Sequence, residues 1–149
     1  MQCISATQEL LATGSSDGSI NLYRFHHELN GTLCPSPDQI IQTAPLYPLC
    51  LALHSLGNGF LLAIGGSSSH IHIYTSLRDI TRFERVAALK GHEDWIRGLD
   101  FTTSNSDIYL SSASQDRYIR LWKISQTVNN TQNDLDTLSV HPLNALTPG

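Results

Sequence analysis

The chain has 149 residues, which is enough for one domain with a substantial hydrophobic core. Hydrophobic residues make up 40% of it, and its formal net charge of −4 argues against a purely electrostatic nucleic-acid binder. The sequence contains no apolar run of transmembrane length and no secretory leader, and its three cysteines form no Cys-x-x-Cys pair. These features predict free thiols in a reducing compartment, the cytoplasm and also the nucleus, and no membrane association.

Alternation of apolar and polar residues between turn signals predicts a chain made of short β-strands. Residues 9–25 are expected to form two strands around an Asp17-Gly18 hairpin. After a proline-rich loop, further strands are expected near residues 39–43, 49–54, 60–64, 70–74, 83–89, 96–101, 108–112 and 118–124. The tail after Ile124 is polar, rich in Asn and Thr, and without periodicity, so we expect it to be largely disordered.

Two histidines raise the question of a metal site. His70 and His72 share one face of an expected strand, so both could reach one ion. A stable zinc site needs three or four ligands, however, and no further ligand is recognisable by its spacing. We therefore expect no metal ion and no cofactor.

Residues 89–124 carry the most specific pattern in the chain. The Gly91-His92 pair is followed about thirty residues later by Trp122, which is typical of one blade of a WD40 β-propeller. In a four-stranded meander, the Trp122 indole can donate to Ser112, Ser112 to His92, and His92 to Asp116. Because an unpaired buried polar group costs about 1–3 kcal/mol, we expect this relay to stabilise the blade.

The Ser, His and Asp of this relay have a second interpretation as a hydrolase triad. The sequence has no nucleophile elbow, and no phosphate-binding loop or metal-ligand spacing stands out. We therefore interpret His92, Ser112, Asp116 and Trp122 as a structural relay. The prediction is a protein that is not an enzyme and has no catalytic residue.

An internal repeat supports the propeller interpretation. Aligning Tyr23, Tyr74 and Trp122 gives separations of 51 and 48 residues, within the range of propeller repeats once loop insertions are allowed. The third copy has the whole relay, the first retains half of it, and the second has none. The predicted fold class is therefore all-β: an incomplete WD40 β-propeller with about two and a half to three blades of four-stranded antiparallel sheet.

The repeat also predicts how the chain is divided. We expect a partial blade without its inner strand in residues 1–25, a second blade with a loop insertion in 26–90, and a third blade in 91–124. Residues 125–149 are then a tail that lacks the outer strand of the third blade. Propellers typically have four to eight blades, so the expected chain is part of a larger propeller protein.

The segment LKGHEDWIRGLDF, followed by SSASQDRYIRLWKI, is more particular than the general WD40 pattern. With LLAIGG and HIHIY upstream, it resembles the two-propeller WD40 subunits of the Elongator complex, over roughly residues 9–124 and within their first propeller. Residues 91–98 carry most of the resemblance. Ser68 departs from it, because an acidic turn residue is expected at that position.

This resemblance implies a scaffold. Elongator adds a carboxymethyl-type group at carbon 5 of the wobble uridine of certain tRNAs, and its catalytic subunit performs the radical and acetyl-transfer chemistry. The resemblance implies that the WD40 subunit acts as a scaffold, which holds the largest and the catalytic subunits and contributes some basic surface for tRNA. The alternative is a WD40 interaction adaptor in another cytosolic assembly, and an enzyme is the third hypothesis.

A candidate partner-binding face follows the Gly-His pair, where Glu93, Asp94 and Trp95 form the loop that enters an inner strand. Trp95 either packs on its own blade or anchors a partner, because Trp and Arg dominate interface energetics. Arg97 is expected to share its face, and Arg117 to open onto the same side of the disc. Residues 78–123 have a net charge of only +1, so we expect protein to bind here first and tRNA contact to be auxiliary.

Overall fold

The computed structural model describes residues 1–25, 36–57, 59–76, 82–127 and 137–143. These residues form twelve β-strands, β1 to β12, with the following bounds: Cys3–Ala6, Leu10–Gly14, Ser19–Arg24, Gln39–Gln42, Pro48–Leu56, Gly59–Gly66, Ser68–Thr75, Glu84–Leu89, Ile96–Ser104, Asp107–Ser114, Ile119–Thr127 and Thr137–Pro142. The described residues contain no helix that is long and apolar enough to cross a membrane.

The strands form three four-stranded antiparallel meanders, one after another along the chain. The first sheet contains β1–β4, the second β5–β8 and the third β9–β12, and within each sheet every strand pairs with its neighbours in sequence. The hairpin at Asp17-Gly18 shows how a turn residue positions a strand, because the Asp17 carboxylate accepts from both the backbone N–H and the hydroxyl of Ser19. The predicted all-β class and the ten predicted strands are confirmed.

The structure differs from the expected division of the chain at both ends. Strand β1 supplies the inner strand of the first sheet, which was expected to be missing, and β4 pairs with β3 rather than joining the second blade. The first sheet therefore extends to Gln42, and the second begins at Pro48. In the tail, β12 pairs with β11 from Trp122–Pro142 to Thr127–Thr137 and completes the third sheet. The expectation of a largely disordered tail without an outer strand is corrected for these residues, and 128–136 and 144–149 lie outside the described residues.

The hydrophobic core lies between the sheets and is divided into two clusters. Strand β6 is buried along its whole length and contributes to both. Its Leu62 and Ile64 side chains pack toward the first sheet, whereas Leu61 and Ala63 pack toward the third. This double burial explains the continuous apolar sequence of β6, because alternation is lost when both faces of a strand are covered.

The outward faces of the first and third sheets have no neighbouring sheet among the described residues. Ile4 and Ile40 are 56% and 55% exposed on the first sheet, and Ile119 is 49% exposed on the third. Exposed β-branched residues on sheet faces are typical of surfaces that another layer covers. This arrangement agrees with the prediction of an incomplete propeller.

Candidate protein-interaction face of the third sheet

The third sheet contains a continuous chain of side-chain hydrogen bonds. Trp122 Nε1 donates to Ser112 Oγ over 2.9 Å, and Ser112 Oγ lies 2.8 Å from His92 Nε2. His92 Nδ1 lies 2.8 Å from Asp116 Oδ2. These hydrogen bonds therefore link β10 and β11 to the loop before β9 and to the turn between β10 and β11.

Hydrogen-bond chemistry fixes the roles of these groups. The Asp116 carboxylate can only accept, so His92 Nδ1 carries the proton that it donates to Asp116. In the neutral ring, Nε2 is then an acceptor, and Ser112 donates to it while accepting from Trp122. Each side-chain polar group of this relay has a hydrogen-bond partner, as groups that are almost completely buried require.

Asp116 is held as a carboxylate by several donors. Burial by itself would raise its pKa, but the backbone N–H groups of Tyr118 and Glu93 and the His92 ring outweigh burial and lower the pKa to about 2. The same carboxylate thus fixes the Gly-His loop at Glu93 and the β10–β11 turn at Tyr118. The relay connects the loop entering the sheet to the turn that closes its central hairpin.

The relay geometry does not fit hydrolase chemistry at Ser112. Its side chain is 2% exposed, and its oxygen accepts the indole N–H, so it is not presented to a substrate. A Cβ at Gly91 would come within 3.0 Å of the Trp122 ring, so the glycine lets the loop lie close over the indole. The Gly-His-Trp pattern therefore has a packing explanation as well as a hydrogen-bond explanation.

Trp95 and Arg97 form an exposed pair at the start of β9. Trp95 is 44% exposed, and the Arg97 guanidinium carbon lies 5.7 Å from the centre of its ring. Arg97 is the extra residue of a β-bulge, because Ser114 pairs with Ile96 and Ala113 with Gly98. Bulges redirect side chains, and here the bulge directs Arg97 to the indole.

Gln115 supports this pair, and the sequence analysis did not single it out. With its amide oxygen turned toward Arg97, it accepts from Nε over 3.0 Å and from Nη2 over 2.6 Å. Its backbone N–H donates to the Trp95 carbonyl over 2.9 Å. The guanidinium is therefore held in place before any partner binds, which lowers the entropy cost of binding.

The neighbouring loop is fixed in the same way. The Asp94 carboxylate accepts from the Trp95 N–H over 2.7 Å, and the Ser114 hydroxyl donates to the Asp94 carbonyl over 3.0 Å. Arg117 lies in the adjacent turn with a positive φ of 72°, and it is exposed. The structure joins Trp95 to Arg97 but gives no direct contact between Arg117 and either of them.

A second aromatic–guanidinium pair lies on β11 and its preceding turn, and sequence reasoning also missed it. The Arg120 guanidinium carbon is 5.8 Å from the centre of the Tyr118 ring, and Tyr118 is 38% exposed. Alternation within "YIRLW" could have indicated it, since Tyr118, Arg120 and Trp122 lie at a spacing of two. We call Glu93–Arg97, Gln115, Arg117 and Tyr118 the Trp95 face.

The described residues offer no metal centre. Among them, no group of three or more His, Cys, Asp or Glu side chains is placed to hold an ion. Cys3 and Cys50 are free thiols, whereas Cys34 lies outside the described residues. Burial raises the pKa of the Cys50 thiol to about 12, with a further rise from Cys3, so this thiol stays protonated at neutral pH.

Comparison with known proteins identifies the repeat. The family model "WD domain, G-beta repeat" matches residues 2–24 and 83–123. The structures "Structure of U3-55K" and "Crystal structure of RRP9 WD40 repeats" each superpose with a TM-score of 0.65 at 21% sequence identity, over 99% of this chain and 39% and 38% of theirs. At that identity the likeness establishes the fold alone.

Sequence relatives are more particular. Elongator complex protein 2 of Saccharomyces cerevisiae is 34% identical over 145 residues, covering 92% of this chain and 18% of the relative. The Schizosaccharomyces pombe protein of that name is 37% identical over 84% of this chain and 16% of its own length. The Homo sapiens protein is 38% identical over 58% of this chain and 12% of its own length. This chain thus spans less than a fifth of the length of these relatives. The chain contains WD40 repeats and has a WD40 propeller fold, and the resemblance to the WD40 subunit of Elongator is confirmed by its similarity to Elongator complex protein 2.

Proposed function

We propose that the chain is part of a non-catalytic scaffold subunit of Elongator, which supports carboxymethyl-type modification of the wobble uridine in tRNA. The observation that carries this proposal is 31–41% sequence identity with Elongator complex protein 2 from eight organisms. A WD40 fold typically serves as an interaction platform, and the enclosed relay accounts for the Ser, His and Asp without catalysis. The proposed compartments are the cytoplasm and the nucleus.

The proposed partners are the largest and the catalytic subunits of Elongator. The Trp95 face supports binding to a protein, because it presents a preorganised guanidinium stacked on an exposed indole. Glu93 and Asp94 place two carboxylates beside these cations, which reduces the attraction for a polyanion. We therefore propose that the face binds protein and that tRNA contact is auxiliary.

Affinity purification of the full-length protein, followed by quantitative mass spectrometry, tests membership of the complex. The largest and the catalytic subunits of Elongator should be the most abundant partners and should be recovered in fixed ratio. Recovery of a different dominant assembly would support the alternative, a WD40 adaptor elsewhere in the cytosol. That alternative is favoured by the WD40 match itself, which is shared by many interaction modules.

The Trp95 face has its own test, the Trp95→Ala, Arg117→Glu double variant of the full-length protein. Both residues are exposed, so the Tm should hold while recovery of the other Elongator subunits falls at least tenfold. Arg82→Glu, an exposed arginine outside the face, is the matched charge control. Unchanged recovery of the subunits by the double variant would refute the anchor, and a collapsed Tm would mean that Trp95 serves its own blade.

A further inference from the structure

A polar cleft lies between the first and second sheets, and it shares no residue with the Trp95 face. Its volume is about 440 Å³. One wall is formed by residues 43–46 of the connection between β4 and β5, and the other by the second sheet and its β6–β7 turn. The residues that line the cleft are Thr43, Ala44, Pro45, Leu46, Ser67, Ser68, His72 and Arg85. None of them is acidic.

A β-bulge brings Arg85 into this cleft. On β8, Ala87 pairs with Ile73, and Arg85 pairs with Tyr74, so Val86 is the extra residue. Regular alternation would place Arg85 on the side of Ala87, toward the core. The bulge instead puts Arg85 on the face of Tyr74 and His72. Arg85 makes no ion pair with any described residue.

Two serine hydroxyls of the cleft are donors without acceptors, whereas the Thr43 hydroxyl donates to the Gly18 carbonyl over 2.8 Å. Ser67 Oγ accepts from the Tyr47 N–H over 2.8 Å, and Ser68 Oγ accepts from the His70 N–H over 3.2 Å. Each hydroxyl therefore still has its proton to donate, and no acceptor for it is found among the described residues. His72 adds a ring with no hydrogen-bond partner in that part of the chain, and its Nδ1 is enclosed by protein.

Backbone packing holds this donor set in place. A Cβ on Gly66 would collide with the Tyr47 carbonyl oxygen, so only glycine allows the end of β6 to lie so close to the connection. The Ser67 N–H donates to that same carbonyl over 3.0 Å. The two walls are therefore fixed to each other at the floor of the cleft.

We propose that this cleft binds the phosphoryl group of a phosphorylated serine or threonine side chain in a partner protein. An Arg fork and two hydroxyls supply at least four donors, and a phosphoryl group presents to them three strong acceptor oxygens and nearly two negative charges, against the two oxygens and single charge of a carboxylate. Ala44, Pro45 and Leu46 form an apolar wall suited to a neighbouring peptide side chain. The cleft has one arginine, and the chain has a net charge of −4. Such a site does not suit RNA, which proteins bind through many phosphate contacts.

Calorimetric titration of the full-length protein tests this site, and the result does not depend on membership of Elongator. The probes are a Gly-Leu-phosphoSer-Leu-Gly peptide, its unphosphorylated counterpart and a short oligouridylate. The phosphopeptide should bind at least tenfold more tightly than both other probes. Arg85→Gln should weaken its binding at least tenfold, whereas Arg82→Gln, an exposed arginine outside the lining, should leave it unchanged.

Four outcomes would overturn the proposal. They are no measurable binding of the phosphopeptide, equal binding of the two peptides, tighter binding of the oligouridylate, or unchanged phosphopeptide affinity in Arg85→Gln. The Arg85 side chain is exposed, so its replacement is not expected to unfold the second sheet. Hydrogen exchange of β7 and β8 measures this directly, and loss of binding counts for the site when that exchange matches the parent protein.

Discussion

Replacing His92 by Ala removes the central member of the relay in the third sheet. Two hydrogen bonds are lost, to Asp116 and to Ser112, each 2.8 Å long in the parent protein. Asp116 retains the backbone N–H groups of Glu93 and Tyr118, and Ser112 can turn to the Arg120 carbonyl, which is only 3.5 Å away. Each loss therefore lies toward the lower end of the range for an orphaned buried group, and the imidazole leaves a cavity. We expect about 3 kcal/mol of local destabilisation.

Hydrogen exchange measured by mass spectrometry is the suitable assay, because it reports opening of the third sheet separately from the rest of the protein. Peptides from β9, β10 and β11 should exchange roughly a hundredfold faster in His92→Ala, while peptides from β2 and β3 stay unchanged. Trp122→Phe is the companion variant, because it keeps an aromatic ring but removes the Nε1 donor and part of the buried indole, so we expect about 2 kcal/mol of local destabilisation. A change below about threefold in the third-sheet peptides of His92→Ala would refute the stabilising relay.

Three further predictions follow from the same contacts. Gln39 links the first sheet to the segment before β8 through two hydrogen bonds with the Phe83 backbone, of 2.7 and 3.1 Å. The Gln39→Ala variant should therefore speed hydrogen exchange of β4 and β8 about tenfold and leave that of β10 unchanged. Because the folded pKa of Asp116 is about 2 and its ordinary value is 3.8, the stability that its carboxylate contributes is present above about pH 4 and lost as the pH falls toward 2. Screening by solvent limits this contribution to about 1 kcal/mol. The Asp116→Asn variant should abolish the corresponding pH dependence of exchange in β10 and β11. The 149-residue chain expressed alone should self-associate through the exposed faces of Ile4, Ile40 and Ile119, and a sharp, concentration-independent melt of a monomer would contradict this.

Sequence periodicity was sufficient for the ten interior strands because each carries its own signal. Strands such as β10 alternate apolar and polar residues between recognisable turns, and β6 is apolar because both its faces are covered. In the first and last strands of the chain this signal is short. Strand β1 has only four residues, and the short β12, TLSVHP, follows a long polar stretch rich in Asn and Thr and is held by its ladder with β11. Their existence depends on a partner strand, which a local pattern does not contain.

The same distinction applies to the candidate sites. The relay could be predicted because a fixed spacing of His92, Ser112, Asp116 and Trp122 implies one geometry in a meander. Gln115 could not be predicted as the support of Arg97, because the bulge at Arg97 shifts the register that alternation assumes. The cleft at Arg85 was missed for the same reason, since the bulge at Val86 changes the face on which the arginine lies.

Quantification of wobble-uridine modification in cells tests the central proposal most directly. Deleting the gene of the full-length protein should abolish the carboxymethyl-type nucleosides of tRNA measured by liquid chromatography and mass spectrometry. Re-expression of the parent protein should restore them, and so should Arg82→Glu, whereas Trp95→Ala, Arg117→Glu should restore only a small fraction. Full modification in the deletion strain would contradict a scaffold role in Elongator.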